Sequence, residues 1–365
     1  MAKECSATNN NAMTIDELRA DIDRTDEELV ALLSHRAELA RSIGKLKDAA
    51  DTVSFVPARE RIVLNHVQRV NQGPLPDEAI RGIFQQIIAA SRNLEYPLTV
   101  AYFGPEYTFT HFATLLRFGS TARLVAADTI SEVVDMVEHG SAHYGVVPIE
   151  NSTEGVVRET LDSLYRSTLS IIDELNVPVR HAIWGSGSLD EVKIVYSHPQ
   201  ALAQCRNWVY RHLPNAQVQA AASTAKAAEI VAGYPEMAAI CSELAADRFD
   251  LHILADHIED SPYNRTRFSV IGPVMSQPGG RDKTSIVFSV KHQAGSLNHV
   301  LAILEQFGIN MTLIESRPTK EMPWQYLFYI DLQGHASDEN ISTAIERIRE
   351  YCLFLRILGS YPEAE

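Results

Sequence analysis

The chain has 365 residues, 45% hydrophobic and 22% charged, with 47 acidic side chains against 32 basic ones and a formal charge of -15. That length holds two or three domains, each able to bury a core. The negative surplus repels phosphate backbones and anionic bilayers, so neither nucleic acid nor a membrane is expected as a partner. A small anion would have to be met by locally gathered cations. Cys5, Cys205, Cys241 and Cys352 are scattered, with no CxxC and no metal-ligand spacing. This is the pattern of reduced thiols, not of a disulfide framework or a metal centre. No window reaches 18 apolar residues and the N-terminus MAKECSATNNNA has no apolar signal core, so a cytoplasmic protein is expected. Residues 1–12 read as a disordered tail.

From 13 to 96 the chain reads as helical. Thr14 with Glu17 three residues on forms a capping box that opens a long helix. Ile15, Leu18, Ile22, Leu29, Leu32, Leu33, Leu39 and Ile43 form its apolar stripe. Arg36 and Lys47 fall within that stripe and Arg19 at its edge. One such cation is commonly a side chain snorkelling outward; three suggest a waiting anion. At 1.5 Å per residue Arg36 and Lys47 are about 16 Å apart, within converging reach, whereas Arg19 is about 25 Å from Arg36. If all three serve one site, Arg19 comes from a second copy of the chain, and an intertwined dimer is expected. A second helix opens at Pro57 and carries Arg59 and Glu60; a third, about 77–95, brings Ser91 and Glu95 to its inner face.

The runs ELRADIDRTDEELVALLSHRAELARSIGKLK, PARER and IFQQIIAASRNLE closely resemble the all-helical chorismate mutase domain. The resemblance implies that Arg36, Arg59 and a partner's Arg19 hold the carboxylates of chorismate and neighbouring groups. Lys47 would donate to the ether oxygen, Glu60 would take the ring hydroxyl, and Ser91 would help orient a carboxylate. Glu95 stands where well-known bacterial members carry glutamine. It can donate to the ether oxygen only while protonated, so mutase turnover is expected to fall as pH rises. The rearrangement is a single pericyclic step, for which folding a dianion and stabilising charge on the breaking C–O bond suffice. No cofactor or metal is expected.

Residues 97–275 alternate short β-branched runs with helical stretches, as an α/β domain does. GPEYTFTH, PIENSTEG, SHPQ and NRTRF put hydroxyls, amides and one arginine near strand ends. Singly these are caps and turns; jointly they suit a small dicarboxylate in a cleft. The set strongly resembles prephenate dehydratase, a two-lobed α/β domain like a type 2 periplasmic binding protein. The resemblance implies that Thr266 assists loss of the ring hydroxyl of prephenate. Asn151, Ser152, Thr153, Ser197, Gln204, Arg267 and Phe268 would bind substrate or shape its site. Tyr107 stands where many members have glycine, and HAIW (181–184) replaces an HNLL-like run.

Residues 276–283 read as a linker. From 284 to 365 the order strand, helix, strand, strand, helix, strand is ferredoxin-like. GSLN and ESRP resemble the ACT regulatory domain of prephenate dehydratases, which implies phenylalanine as an effector. Gly295, Ser296, Leu297 and Asn298 would contact it, while Glu315, Ser316, Arg317 and Pro318 shape the site and its coupling. The fold expected is therefore multidomain: an all-α mutase domain, a two-lobed α/β dehydratase domain and an α+β ACT domain, in a homodimer or higher oligomer. A prephenate dehydrogenase is disfavoured, since no glycine-rich dinucleotide fingerprint follows any strand.

Overall fold

A computed structural model of the chain describes residues 14–49, 55–319 and 325–364, the side chains of residues 47–49 excepted. The expected N-terminal tail and the side chain of Lys47 lie outside the described residues.

Helices α1 (Ile15–Ala49), α2 (Pro57–Val70) and α3 (Asp77–Glu95) form the first unit. The capping box is made: the Thr14 amide donates to Glu17 at 2.7 Å and the Glu17 amide donates to the Thr14 hydroxyl at 3.2 Å. The C-terminal half of α1 packs beside α3, where Gly44 permits contact: a Cβ there would sit 3.0 Å from the Glu95 Cα. From Thr14 to His35 every residue but Asp21 is exposed, including Leu18, Ile22, Leu29 and Leu33. Roughly 30 Å of amphipathic helix thus projects with its apolar stripe uncovered by its own chain.

The next unit has two lobes. The first contains β1 (Thr99–Phe103), α4 (Phe109–Phe118), β2 (Arg123–Ala127), α5 (Ile130–Glu138), β3 (Tyr144–Asn151), β4 (Gly155–Val156), α6 (Arg158–Arg166) and β5 (Ser170–Pro178). The second contains β6 (Ala182–Gly185), β7 (Ile194–Ser197), α7 (Pro199–Gln204), α8 (Arg206–His212), β8 (Gln217–Ala220), α9 (Thr224–Val231), β9 (Met237–Cys241), α10 (Glu243–Arg248) and β10 (His252–Ala255). Its sheet runs β10-β6-β9-β7-β8. The chain then returns through β11 (Arg265–Gly272), which inserts antiparallel between β3 and β5 of the first lobe. Two passes between lobes leave a cleft bordered by β11.

Tyr107, the residue in a glycine's place, has φ 67°. A side chain there is strained by about 1 kcal/mol or more, and local contacts hold it. Its amide donates to His111 Nδ1 at 2.9 Å, and Ser242 of the second lobe donates to its carbonyl at 2.6 Å.

The C-terminal unit comprises β12 (Asp282–Val290), α11 (Ser296–Gln306), β13 (Met311–Pro318), β14 (Tyr326–Gln333), α12 (Glu339–Tyr351) and β15 (Cys352–Pro362), the expected βαββαβ order. Strand β12 begins inside the expected linker, because Asp282 is buried and accepts from the amides of Gly279 and Gly280. Its sheet, β13-β14-β12-β15, continues through β5 into the first lobe. The junction is one parallel pairing, Gly359 with Ile171. A Cβ on Gly359 would lie 2.1 Å from the Ile171 carbonyl oxygen, a clash between backbones. Gly359→Ala should therefore part the two sheets and cost about 1–3 kcal/mol, seen as a lower denaturation midpoint. An unchanged midpoint would show that the junction carries no strain.

Candidate active sites

A cleft of about 530 Å³ lies between the lobes. Its lining includes Gly104, Thr108, Asn151, Glu154, His181, Gln204, Thr224, Thr266 and Phe268. The first turns of α4 and α9 border it, capped by the hydroxyls of Thr108 and Ser223. Their exposed amide ends favour anions. Among the described residues none of the lining side chains is lysine or arginine; amides, hydroxyls and helix ends line it together with the carboxylates of Glu154 and Glu159.

The amide groups are joined to Thr266. Asn151 Nδ2 donates to Thr266 Oγ1 at 2.9 Å and to Asn264 Oδ1 at 3.0 Å. Thr153 Oγ1 also donates to Asn264 Oδ1, at 3.2 Å. Asn264 Nδ2 donates to Gln204 Oε1 at 3.0 Å, and His181 Nε2 lies 2.8 Å from that same oxygen. Burial holds the His181 imidazole below its ordinary pKa, so it is neutral near pH 7. The NRTRF and HAIW runs thus contribute two further members of the network, Asn264 and His181.

Three expected ligands point elsewhere. Arg267 is one residue from Thr266 on a strand, so its side chain takes the opposite face. There it reaches Asp331 on β14 at 2.6 Å, Glu174 on β5 at 3.2 Å and Glu150 at 3.1 Å. Lys283 adds a second cation on Glu174 at 2.8 Å. Burial opposes the Arg267 charge, but Asp331 and Glu174 push its pKa up and keep it ionised. The Ser197 hydroxyl is fully buried and donates to the Ile240 carbonyl at 2.5 Å. Ser152 is exposed; it donates to the Tyr263 carbonyl and accepts from the Arg265 amide, tying the NST loop to β11. These residues brace the cleft without lining it.

In the C-terminal unit Gly295 has φ 84° and starts α11, with Ser296, Leu297 and Asn298 in its first turn. Glu315 to Pro318 lie on β13. Arg317 donates to the Arg158 carbonyl at 2.5 Å and to Asp162 at 3.1 Å, so this motif grips α6 of the first lobe.

Among the helices, Arg36 donates to the Ser91 hydroxyl, and Glu95 and Glu60 oppose the loss of its charge through partial burial. Arg59 is exposed. Arg19, also exposed, lies 3.6 Å from Asp16 of its own helix. Both oxygens of Glu60 are occupied, by Arg92 and by Arg117 of α4, and Arg117 also binds Asp173 of β5 at 2.5 Å. Burial works against the Glu60 carboxylate, yet Arg117 and Arg92 together hold its pKa below the usual range. Phe55 completes the seam, with the guanidinium carbons of Arg92 and Arg117 at 4.8 and 4.7 Å from its ring centroid.

Family models for chorismate mutase type II, prephenate dehydratase and the ACT domain match residues 18–96, 100–276 and 284–350 respectively. The bifunctional chorismate mutase/prephenate dehydratase of Aquifex aeolicus is 45% identical over 353 residues, covering 95% of this chain and 98% of that protein. The chain belongs to this bifunctional family. The Neisseria gonorrhoeae relative of the same description is 42% identical, covering 97% of this chain and 99% of that protein. The crystal structure of prephenate dehydratase from Arthrobacter aurescens in complex with L-Phe aligns with a TM-score of 0.67 at 34% identity. It covers 73% of this chain and 90% of its own. This bifunctional enzyme therefore carries chorismate mutase and prephenate dehydratase activities. No described helix is long and apolar enough to cross a membrane.

In this mutase–dehydratase the Glu60 seam joins the two catalytic units. Arg117→Ala should cost about 3–5 kcal/mol, because it leaves Glu60 and Asp173 buried with less cation. Arg117→Lys should restore part of that, lacking the two-sided fork. Urea titration reads both; equal stability of Arg117→Ala and wild type would show the seam to be open to water.

Proposed function

We propose that Thr266 is the hydroxyl that assists loss of the prephenate ring hydroxyl, and that Asn151, Gln204 and Phe268 with Thr153 form its substrate site. The supporting observation is the placement of Thr266 on the cleft wall, hydrogen-bonded to Asn151. Aromatisation supplies most of the driving force once carbon dioxide and the hydroxyl depart, so orientation and one donor suffice. The substrate's carboxylates are met by the helix ends of α4 and α9. Thr266→Ala should let prephenate accumulate while chorismate is still consumed. Unchanged phenylpyruvate formation would refute this role.

The mutase site is proposed to be shared between two chains in a homodimer. Arg36, Ser91, Glu95, Lys47 and Arg59 would come from one chain and Arg19 from the partner. The uncovered stripe of α1 supports this reading, since an equivalent helix can bury it. Each Glu60 oxygen already accepts from an arginine, so the ring hydroxyl would be taken by a remaining lone pair. Lys47→Ala should remove mutase turnover and spare turnover of supplied prephenate; equal loss of both would sink the two-site arrangement.

Phenylalanine is proposed as a feedback inhibitor bound by the ACT unit near Gly295 to Asn298, with the Glu315 to Pro318 strand coupling it to α6. The ACT match and the L-Phe complex of the Arthrobacter aurescens protein support this. A cytoplasmic location fits its scattered cysteines. The deciding experiment follows chorismate, prephenate and phenylpyruvate in time, with and without phenylalanine. Both products in sequence, suppressed by phenylalanine, are expected; turnover indifferent to phenylalanine together with a flat calorimetric titration would remove the regulatory part.

A further inference from the structure

The cleft contains a chain of side-chain amides whose direction is fixed from one end. Backbone N–H groups can only donate, and those of Thr153 and Glu154 both reach Asn151 Oδ1, at 2.9 and 3.2 Å. The Asn151 NH₂ must therefore face Thr266 Oγ1 and Asn264 Oδ1. With its oxygen so committed, Asn264 turns its NH₂ to Gln204 Oε1. That oxygen accepts only, so the His181 nitrogen beside it carries its proton. Every member is assigned, and the chain ends on Thr266 with a donor pointed at its oxygen.

We propose that Asn264 is a positioning residue for the dehydratase reaction: through Asn151 it holds the Thr266 hydroxyl as a donor toward the cleft. A hydroxyl that accepts from Asn151 keeps its own proton to give, and among the described residues Thr266 Oγ1 makes no other hydrogen bond. In the reaction the C–CO₂ bond breaks and its electron pair enters the ring as carbon dioxide leaves. The C–O bond breaks with its pair on oxygen. Hydroxide departs hydrogen-bonded to Thr266 and becomes water with a proton from the medium. Asn264 is 4% exposed; it reaches Thr266 through Asn151 and also meets Thr153 and Gln204.

This inference rests on the proposed role of Thr266, and the test separates the two. Asn264→Asp keeps the acceptor facing Asn151 but opposes two acceptors, its own carboxylate and Gln204 Oε1. The charged groups around that position are mostly negative. Glu154 follows β3 and lies 3.4 Å from Gln204 Nε2, Glu259 accepts from the His181 amide, and the Asp260 amide donates to the Gln204 carbonyl; the neighbouring cations are Arg265, next in sequence, and Arg180, beside the Val179 whose amide donates to the Asn264 carbonyl. His181 is neutral. A carboxyl placed there therefore titrates above the ordinary aspartate range. Once protonated it can donate to Gln204 and replace the lost amide.

Steady-state dehydration of supplied prephenate should be measured from pH 5 to 8 for wild type, Asn264→Asp and Thr266→Ala, subtracting decomposition without enzyme. Mutase turnover of each variant serves as the folding control. Asn264→Asp should lose on the order of 10²-fold in kcat at neutral pH with KM nearly unchanged, and recover as the pH falls. A pH-independent deficit in Asn264→Asp or a loss confined to KM would overturn the directed chain. If Thr266→Ala keeps wild-type turnover, the reading of Thr266 itself falls; if it is inactive while Asn264→Asp matches wild type, only the positioning role falls.

Discussion

A guanidinium withdrawn from water needs anions within hydrogen-bond reach, and at two seams of this chain an arginine draws them from both sides. Arg117 is held by Glu60 of the helical unit and Asp173 of the first lobe. Arg267 is held by Glu174 of that lobe and Asp331 of the ACT unit. Each takes one carboxylate from another unit, Arg117 one of two and Arg267 one of three, so parting the units leaves a guanidinium short of a partner. Such pairs add little net stability over apolar packing, but they penalise every arrangement that separates the partners. They fix the relative placement of the three units, while Phe55 and the Gly359 junction supply close contact at the same two seams.

Much of this was legible in the sequence. Element order, the capping box at Thr14, the start of α2 at Pro57 and the βαββαβ run follow from local periodicity and turn chemistry, which act over a few residues. Side-chain destinations were less legible. Ser197 reads as a ligand in SHPQ, yet its hydroxyl is claimed by the Ile240 carbonyl on a strand over 40 positions away. Glu60 reads as a site residue, and only the fold reveals that α4 brings Arg117 against it. Both cases turn on partners remote in sequence, whose approach no spacing rule encodes.

The cleft between the lobes is lined without lysine or arginine among the described residues. Arg267 is spent on buried carboxylates behind its wall, and the lining joins neutral donors and helix ends already fixed by the backbone with the carboxylates of Glu154 and Glu159. Such dipoles need no rearrangement when charge shifts during reaction.

Strand β11 carries a further consequence. Thr266 faces the cleft, Arg267 faces the ACT unit and Phe268 faces the cleft again. Side chains alternate strictly, so a slip of one position would set a guanidinium among the amides and strand a hydroxyl among buried carboxylates. Insertions or deletions within this strand are thus barred twice over, once by chemistry and once by docking. The chain can lengthen its loops freely during descent, but this short strand must be inherited with its length intact.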